Sequence, residues 1–114
     1  MEKTKSFEFK KLKNILSVAS KSGKVCLGFD VAKMALMTGK GLLLLLSDGL
    51  SENTKNAMIN IASRSHVKYR VIGTSLEEFS DIVGKRVGVV VIIDRGFASK
   101  IDEIWEEETG GDLC

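Results

Sequence analysis

Apolar residues recur along this chain in two alternating rhythms. From about Glu8 to Ser20, Leu12, Ile15, Leu16 and Ala19 fall at helical spacing, with Lys10, Lys11 and Lys13 on the other faces. This predicts an amphipathic helix that stops at Gly23, since glycine tolerates the left-handed backbone after a helix. Val25 to Leu27 predicts a short strand. A helix is then predicted after Gly28, from about Asp30 to Thr38, with Val31, Met34, Ala35 and Thr38 turned inward and Gly39 ending it. Leu42 to Leu46 is a continuous apolar run between Gly41 and Ser47-Asp48-Gly49, the pattern of a strand covered on both faces. Ser51 suits a helix cap, with Leu50 just ahead of it. In that helix Thr54, Ala57, Met58, Ile61 and Ala62 share one face, while Lys55, Asn56, Asn60 and Arg64 are expected to face away.

The second half repeats the alternation. Val67 to Ile72 reads as a strand in which Lys68 and Arg70 alternate with Val67, Tyr69 and Val71. Ser75 and Glu78 form a Ser-x-x-Glu capping box before a short helix whose buried side is Leu76, Phe79, Ile82 and Val83, ending at Gly84. Lys85 to Gly88 is a loop into the apolar strand Val89 to Ile93. Asp94-Arg95-Gly96 turns into a last helix striped by Phe97, Ile101, Ile104 and Trp105. Strict alternation of helix and strand predicts an α/β fold: a single-domain three-layer α/β/α sandwich around a four-stranded mixed sheet, with crossovers favouring parallel neighbours. The expected domain spans 7–108, with 1–6 and 109–114 as frayed termini.

Composition narrows the function classes. A chain of 114 residues fits one core. No apolar run approaches the roughly 20 residues that cross a bilayer, and the N-terminus lacks an apolar signal region, so a cytoplasmic protein is expected. Cys26 and Cys114 are expected to be free thiols in a reducing compartment, with Cys26 a small core residue. One histidine and no His-Cys cluster argue against metal or triad chemistry. His66, at a helix end, fits a solvated dipole partner. No phosphate-binding glycine motif follows a strand, so no cofactor and no catalytic residue are assigned.

Charge adds a direction. Residues 1–40 carry nine lysines against Glu2, Glu8 and Asp30, and acids gather after Lys100. The N-terminal third is therefore the candidate surface for a polyanion. Within it, the stretch Lys21 to Lys40 places Gly28 before a helix start, where unpaired N–H groups and lysines could meet phosphate. From these residues alone, an ordinary strand-to-helix turn with solvated lysines is the favoured reading.

Several stretches carry a resemblance: ASKSGKVCLG, the helix ending MTGKG, LLLLLSDGLSENTK, VIGTSLEEFSDIVGK and VVVIIDRGFASKI. From about Leu12 to Lys100 the chain resembles the kink-turn RNA-binding ribosomal protein family, the "L-seven-A-e" family, and its small bacterial YlxQ-like branch. The resemblance implies a non-enzymatic α/β/α protein that binds kink-turn or related bent RNA, and the ribosome as a possible setting. No membrane, DNA or metal partner is expected, and the oligomeric state is open. The family's RNA site joins a Gly-x-Asn-Glu-x-x-Lys pattern at the second helix to the loop before the last strand. Here the glycine is Gly28, but Asp30, Val31 and Met34 stand at the asparagine, glutamate and lysine positions. The implied RNA-binding set is Lys24, Gly28, Phe29, Asp30, Lys33, Lys85, Arg86, Val87 and Gly88. Asp30 would accept from a guanine edge, Val87 would cover an unstacked base, and the cations, with Lys21, would neutralise phosphates. Two other readings stay open: a protein-interaction module on the same fold, prompted by Val31 and Met34, and a small nucleotide-binding or enzymatic domain.

Overall fold

In a computed structural model, residues 10–110 are described; the expected start of the first helix at Glu8, most of the frayed termini and Cys114 lie outside them. The order is α1 (Lys10–Lys21), β1 (Val25–Leu27), α2 (Phe29–Met37), β2 (Leu43–Ser47), α3 (Glu52–Arg64), β3 (Lys68–Ile72), α4 (Leu76–Val83), β4 (Val89–Ile92) and α5 (Arg95–Thr109). The strands form one sheet in the order β1-β4-β2-β3. The two all-apolar runs take its centre, where both faces are covered. Leu43 pairs with Ile92 and Leu46 with Val89.

Side chains of a strand alternate between faces, and the leucine run feeds two separate cores. Leu43 and Leu45 join Leu12, Leu16, Phe79, Ile101 and Ile104 beneath α1, α4 and α5. Leu44 and Leu46 join Ala32, Leu36, Met58 and Ala62 beneath α2 and α3. Burying each such leucine contributes about 1.5–3 kcal/mol. The α/β/α sandwich expected from alternation is therefore the fold.

Several details differ from the sequence pattern; Leu76, expected on the buried side of α4, is 40% exposed. Only β2 and β3 are parallel neighbours, because β4 lies between β1 and β2 and runs against both. The connection through α4, eight residues long, brings the chain back to the end of the sheet that it left. Next, β2 starts at Leu43, and Leu42 is part-exposed. On α2 the buried residues are Ala32, Ala35 and Leu36, while Val31 and Met34 are 51% and 63% exposed and Thr38 is also outside. The helix lies close to the sheet: a Cβ on Gly41, just after it, would stand 2.8 Å from Val91 Cγ1 and 3.1 Å from Leu36 Cδ2. Small alanines permit that approach, and the bulkier side chains are left outside. Last, Lys55 is buried on α3 rather than facing away.

The layers are tied at their edges. Arg70 on β3 donates to Asp102 (Nε to Oδ1, 2.7 Å) and Glu106 of α5, and lies 4.4 Å over the Trp105 ring. Lys68 donates to the other Asp102 oxygen at 2.8 Å. Burial pushes the Asp102 carboxyl up, but the hydrogen bonds from Arg70 and Lys68 outweigh it and hold the group below its ordinary 3.8. Among the described residues no helix is long and apolar enough to cross a membrane.

Candidate nucleic-acid interface

The strand directions sort the connections to two ends of the sheet. At one end, called here the loop end, β1, β2 and β3 finish and β4 begins. It gathers Gly28 with the start of α2, the turn 47–51 before α3, the turn 73–75 before α4, and the loop 84–88.

Gly28 has φ +98° and ψ 159° and forms the cap of α2, with no side chain to accept from the first N–H groups. Its own N–H donates to Val89 O at 2.9 Å, which fixes it to the start of β4. A Cβ there would rest 3.6 Å from Val87 Cγ1, an ordinary contact. Glycine is therefore required by the backbone angle rather than by lack of space. Phe29 and Asp30 are exposed on the first turn, and Lys33 is exposed one turn further on.

The opposing loop is held by Ser80. Its carbonyl accepts from Gly84 and Lys85 N–H, and its hydroxyl donates to Val87 O at 3.2 Å. Gly84 at φ +80° ends α4. Lys85 and Arg86 project to solvent. Gly88 is glycine for a different reason: a Cβ would fall 2.5 Å from Leu76 Cδ2 and 2.7 Å from Leu50 Cδ2. An open groove of about 580 Å³ runs between Leu50, Leu76, Ser80, Arg86 and Val87, with Glu77 and Asp81 also lining it.

The neighbouring turns are tied to one another. Ser47, fully buried, donates its hydroxyl to Thr74 O at 2.9 Å and accepts from Gly49 N–H at 3.0 Å. Lys55 Nζ reaches Asp48 Oδ1 at 3.0 Å and Glu52 Oε2 at 3.1 Å. The hydrogen bonds to Asp48 and then Glu52 raise the ammonium pKa above 10.5, against the downward pull of burial. Ser75 accepts from Glu78 N–H as the capping box requires, but the Glu78 carboxylate reaches Lys13 at 2.6 Å instead of returning to the cap.

Of the residues expected at the site, Gly28, Phe29, Asp30, Lys33, Lys85, Arg86, Val87 and Gly88 stand together on or beside the loop end. Lys24 does not. Its carbonyl accepts from Ile93 N–H at 3.0 Å, at the far end of β4. Four strand steps separate it from Gly28, about 13 Å. Lys21 closes α1 and Lys40 follows α2, so both lie at that far end too. Sequence reasoning missed Leu50, Leu76 and Ser80. The two leucines flank helix caps, a position in which an apolar residue fixes the approach of the chain; Ser80 carried no signal. His66 is exposed at the end of α3 with φ +57°.

Comparison with known proteins places this geometry. The chain is 28% identical over 96 residues to the "RNA-binding protein YlxQ" of Enterococcus faecium, covering 84% of this chain and 92% of that one. A Bacillus halodurans protein of unknown function superimposes with TM-score 0.77 at 22% identity, covering 85% of this chain and 97% of the other. The "15.5kD RNA binding protein" of Giardia lamblia gives TM-score 0.68 at 15% identity, with 92% and 93% covered; both structures speak to the fold. Residues 10–101 match the profile of one family from α1 into α5, and the chain belongs to the Ribosomal protein L7Ae/L30e/S12e/Gadd45 family.

Proposed function

We propose that this chain is a non-enzymatic, cytoplasmic RNA-binding protein that recognises bent, structured RNA at the loop end, ribosomal RNA or a kink-turn being the favoured targets. One observation carries the reading: Gly28 and Val87 stand within one van der Waals contact, 3.6 Å to a Cβ built on Gly28. The helix start and the Lys85–Gly88 loop are thus one surface. Family membership and the names of the relatives support RNA as the ligand.

The chemistry follows from the parts. A sharp bend exposes base edges that a regular A-form groove hides. The uncapped start of α2 offers N–H groups to phosphate. The Asp30 carboxylate accepts from a guanine edge, and Val87 with Leu76 offers an apolar wall to an unstacked base. Lys33, Lys85 and Arg86 supply cations. The apolar Val31 and Met34 stand where the family pattern has charge. Each good hydrogen-bonding pair to a base that they forgo weakens base reading by about 1–3 kcal/mol.

Titration of a labelled kink-turn RNA against a straight duplex of equal length tests this. Preference for the bent RNA is expected at moderate salt; equal, weak binding to both would sink it. A second reading, a protein-interaction module, is favoured by the exposed Val31, Met34 and Met37 on α2. It predicts a nuclease-resistant protein complex that Met34→Asp abolishes.

A further inference from the structure

The residues expected to bind phosphate divide unequally between the two ends. The loop-end segments 28–30, 47–52, 73–78 and 84–88 hold Lys85 and Arg86 but also Asp30 and Glu77, together with Asp48, Glu52 and Glu78, whose charges are paired with Lys55 and Lys13. The far-end segments 21–24, 39–42 and 93–96 hold Lys21, Lys24, Lys40 and Arg95 against one acid, Asp94. That carboxylate is already engaged, accepting from Phe97 N–H at 2.9 Å as the cap of α5. All four cations are exposed, and none makes an ion pair with another described residue.

Backbone hydrogen bonds bring these segments together. Lys24 O accepts from Ile93 N–H on one side of β4, and Leu42 N–H donates to Ile92 O at 2.8 Å on the other. Arg95 follows two residues after Ile93. Lys40 N–H donates to Ala35 O, and its side chain lines the same groove as Cys26 of the adjacent β1. Lys24 N–H donates to Ala19 O, which sets the turn from Lys21. Four cations without ion pairs to described residues thus surround the exit of β4, about 13 Å from Gly28. Along the side of the molecule between the two ends, α2 exposes Lys33.

We infer that this far end is a second RNA contact, a sequence-independent phosphate-binding surface made by Lys21, Lys24, Lys40 and Arg95; it rests on the RNA-binding reading above. An RNA arm leaving the bend at the loop end passes along α2 and places its backbone here. Phosphate contacts position nucleic acid and supply salt-dependent affinity, whereas base contacts select sequence. The two ends divide those tasks.

The test uses the full chain, two bent RNAs, one with a long helical arm and one with that arm cut back, and a straight duplex as the unbent control. In the variant Lys21→Ala/Lys24→Ala/Lys40→Ala/Arg95→Ala, affinity for the long-arm RNA falls about tenfold or more at low salt. The slope of log affinity against log salt flattens by roughly 0.7–0.9 for each phosphate no longer neutralised. The short-arm RNA shows little change. Replacing the three lysines by Arg retains the slope, and thermal unfolding checks that the variants fold. Unchanged slope and affinity in a folded variant overturn the inference while leaving bend recognition intact. A loss of slope without preference for bent RNA upholds the second contact and removes bend recognition. A wild-type chain that binds neither RNA overturns both.

Discussion

The two ends of the sheet are built on different principles. The loop end is braced by side chains and electrically mixed: Ser47 and Gly88 tie the turns 47–51, 73–75 and 84–88 to each other, and Ser80 and Lys55 brace two of them, through buried and part-buried hydrogen bonds and close packing. The far end has its exposed cations on short turns and helix ends fixed through the main chain and the Asp94 cap of α5. Fixed geometry suits reading a shape; exposed lysines suit neutralising charge on any sequence. The difference teaches that a basic N-terminal third is not one surface: Lys21, Lys24 and Lys40 stand a strand length from the glycine that heads α2, while Lys33 stands one turn from it.

Damage to the loop end should have the largest effect. Gly88→Val puts carbon into the space of Leu50 and Leu76, and overpacking of this kind costs about 3 kcal/mol. Urea unfolding should show the loss, and bent-RNA binding should fall with it because the 84–88 loop must shift. Gly28→Ala should be milder. No atom obstructs the new methyl, but φ +98° with ψ 159° is nearly exclusive to glycine, a strain of about 1–3 kcal/mol. A stability equal to wild type would mean that the cap of α2 relaxes freely, and the rigidity of this end would be in question.

On the β3 side, Asp102→Asn removes the shared partner of Arg70 and Lys68, for a loss of about 1–2 kcal/mol at neutral pH. The carboxyl is held below 3.8 in the folded chain. Its contribution is therefore present above that value and lost as pH falls through the lower, folded value. Wild type and variant should converge in acid when unfolding is followed from pH 7 to pH 2. A gap that persists unchanged there would show that the pair contributes through packing with Trp105 rather than charge.

How far these contrasts could be read beforehand differs from element to element. The central strands were legible because five leucines and Val89 to Ile92 have no polar side to misplace. The caps at Ser51 and Ser75 were legible because a hydroxyl at a helix start has a local partner. The inward face of α2 was not, since close packing on the sheet favours alanine over the larger Val31 and Met34 that dominate a hydrophobic pattern. Lys55 was misassigned because only the folded turn brings Asp48 to its ammonium. For the site, Gly28 and the 84–88 loop were nameable, but their contact depends on β4 pairing beside β1 across some sixty residues of sequence. Lys24 stands apart from Gly28 because nearness in sequence, four residues, becomes the length of a strand in space.

The smallest expected effect on stability is also the sharpest test of the division between the ends. Lys85→Ala/Arg86→Ala trims two exposed side chains without ion pairs to described residues, so unfolding should stay within about 0.5 kcal/mol of wild type. In RNA titrations two cations can flatten the salt slope by no more than roughly 1.4–1.8. Because they stand beside the proposed base-reading surface, their removal should also narrow the preference for bent over straight RNA. The four far-end cations should do the reverse, taking more slope and less preference. If Lys85 and Arg86 alter the slope alone, they are phosphate contacts like the others. Shape would then be read by α2 and Val87 without their help.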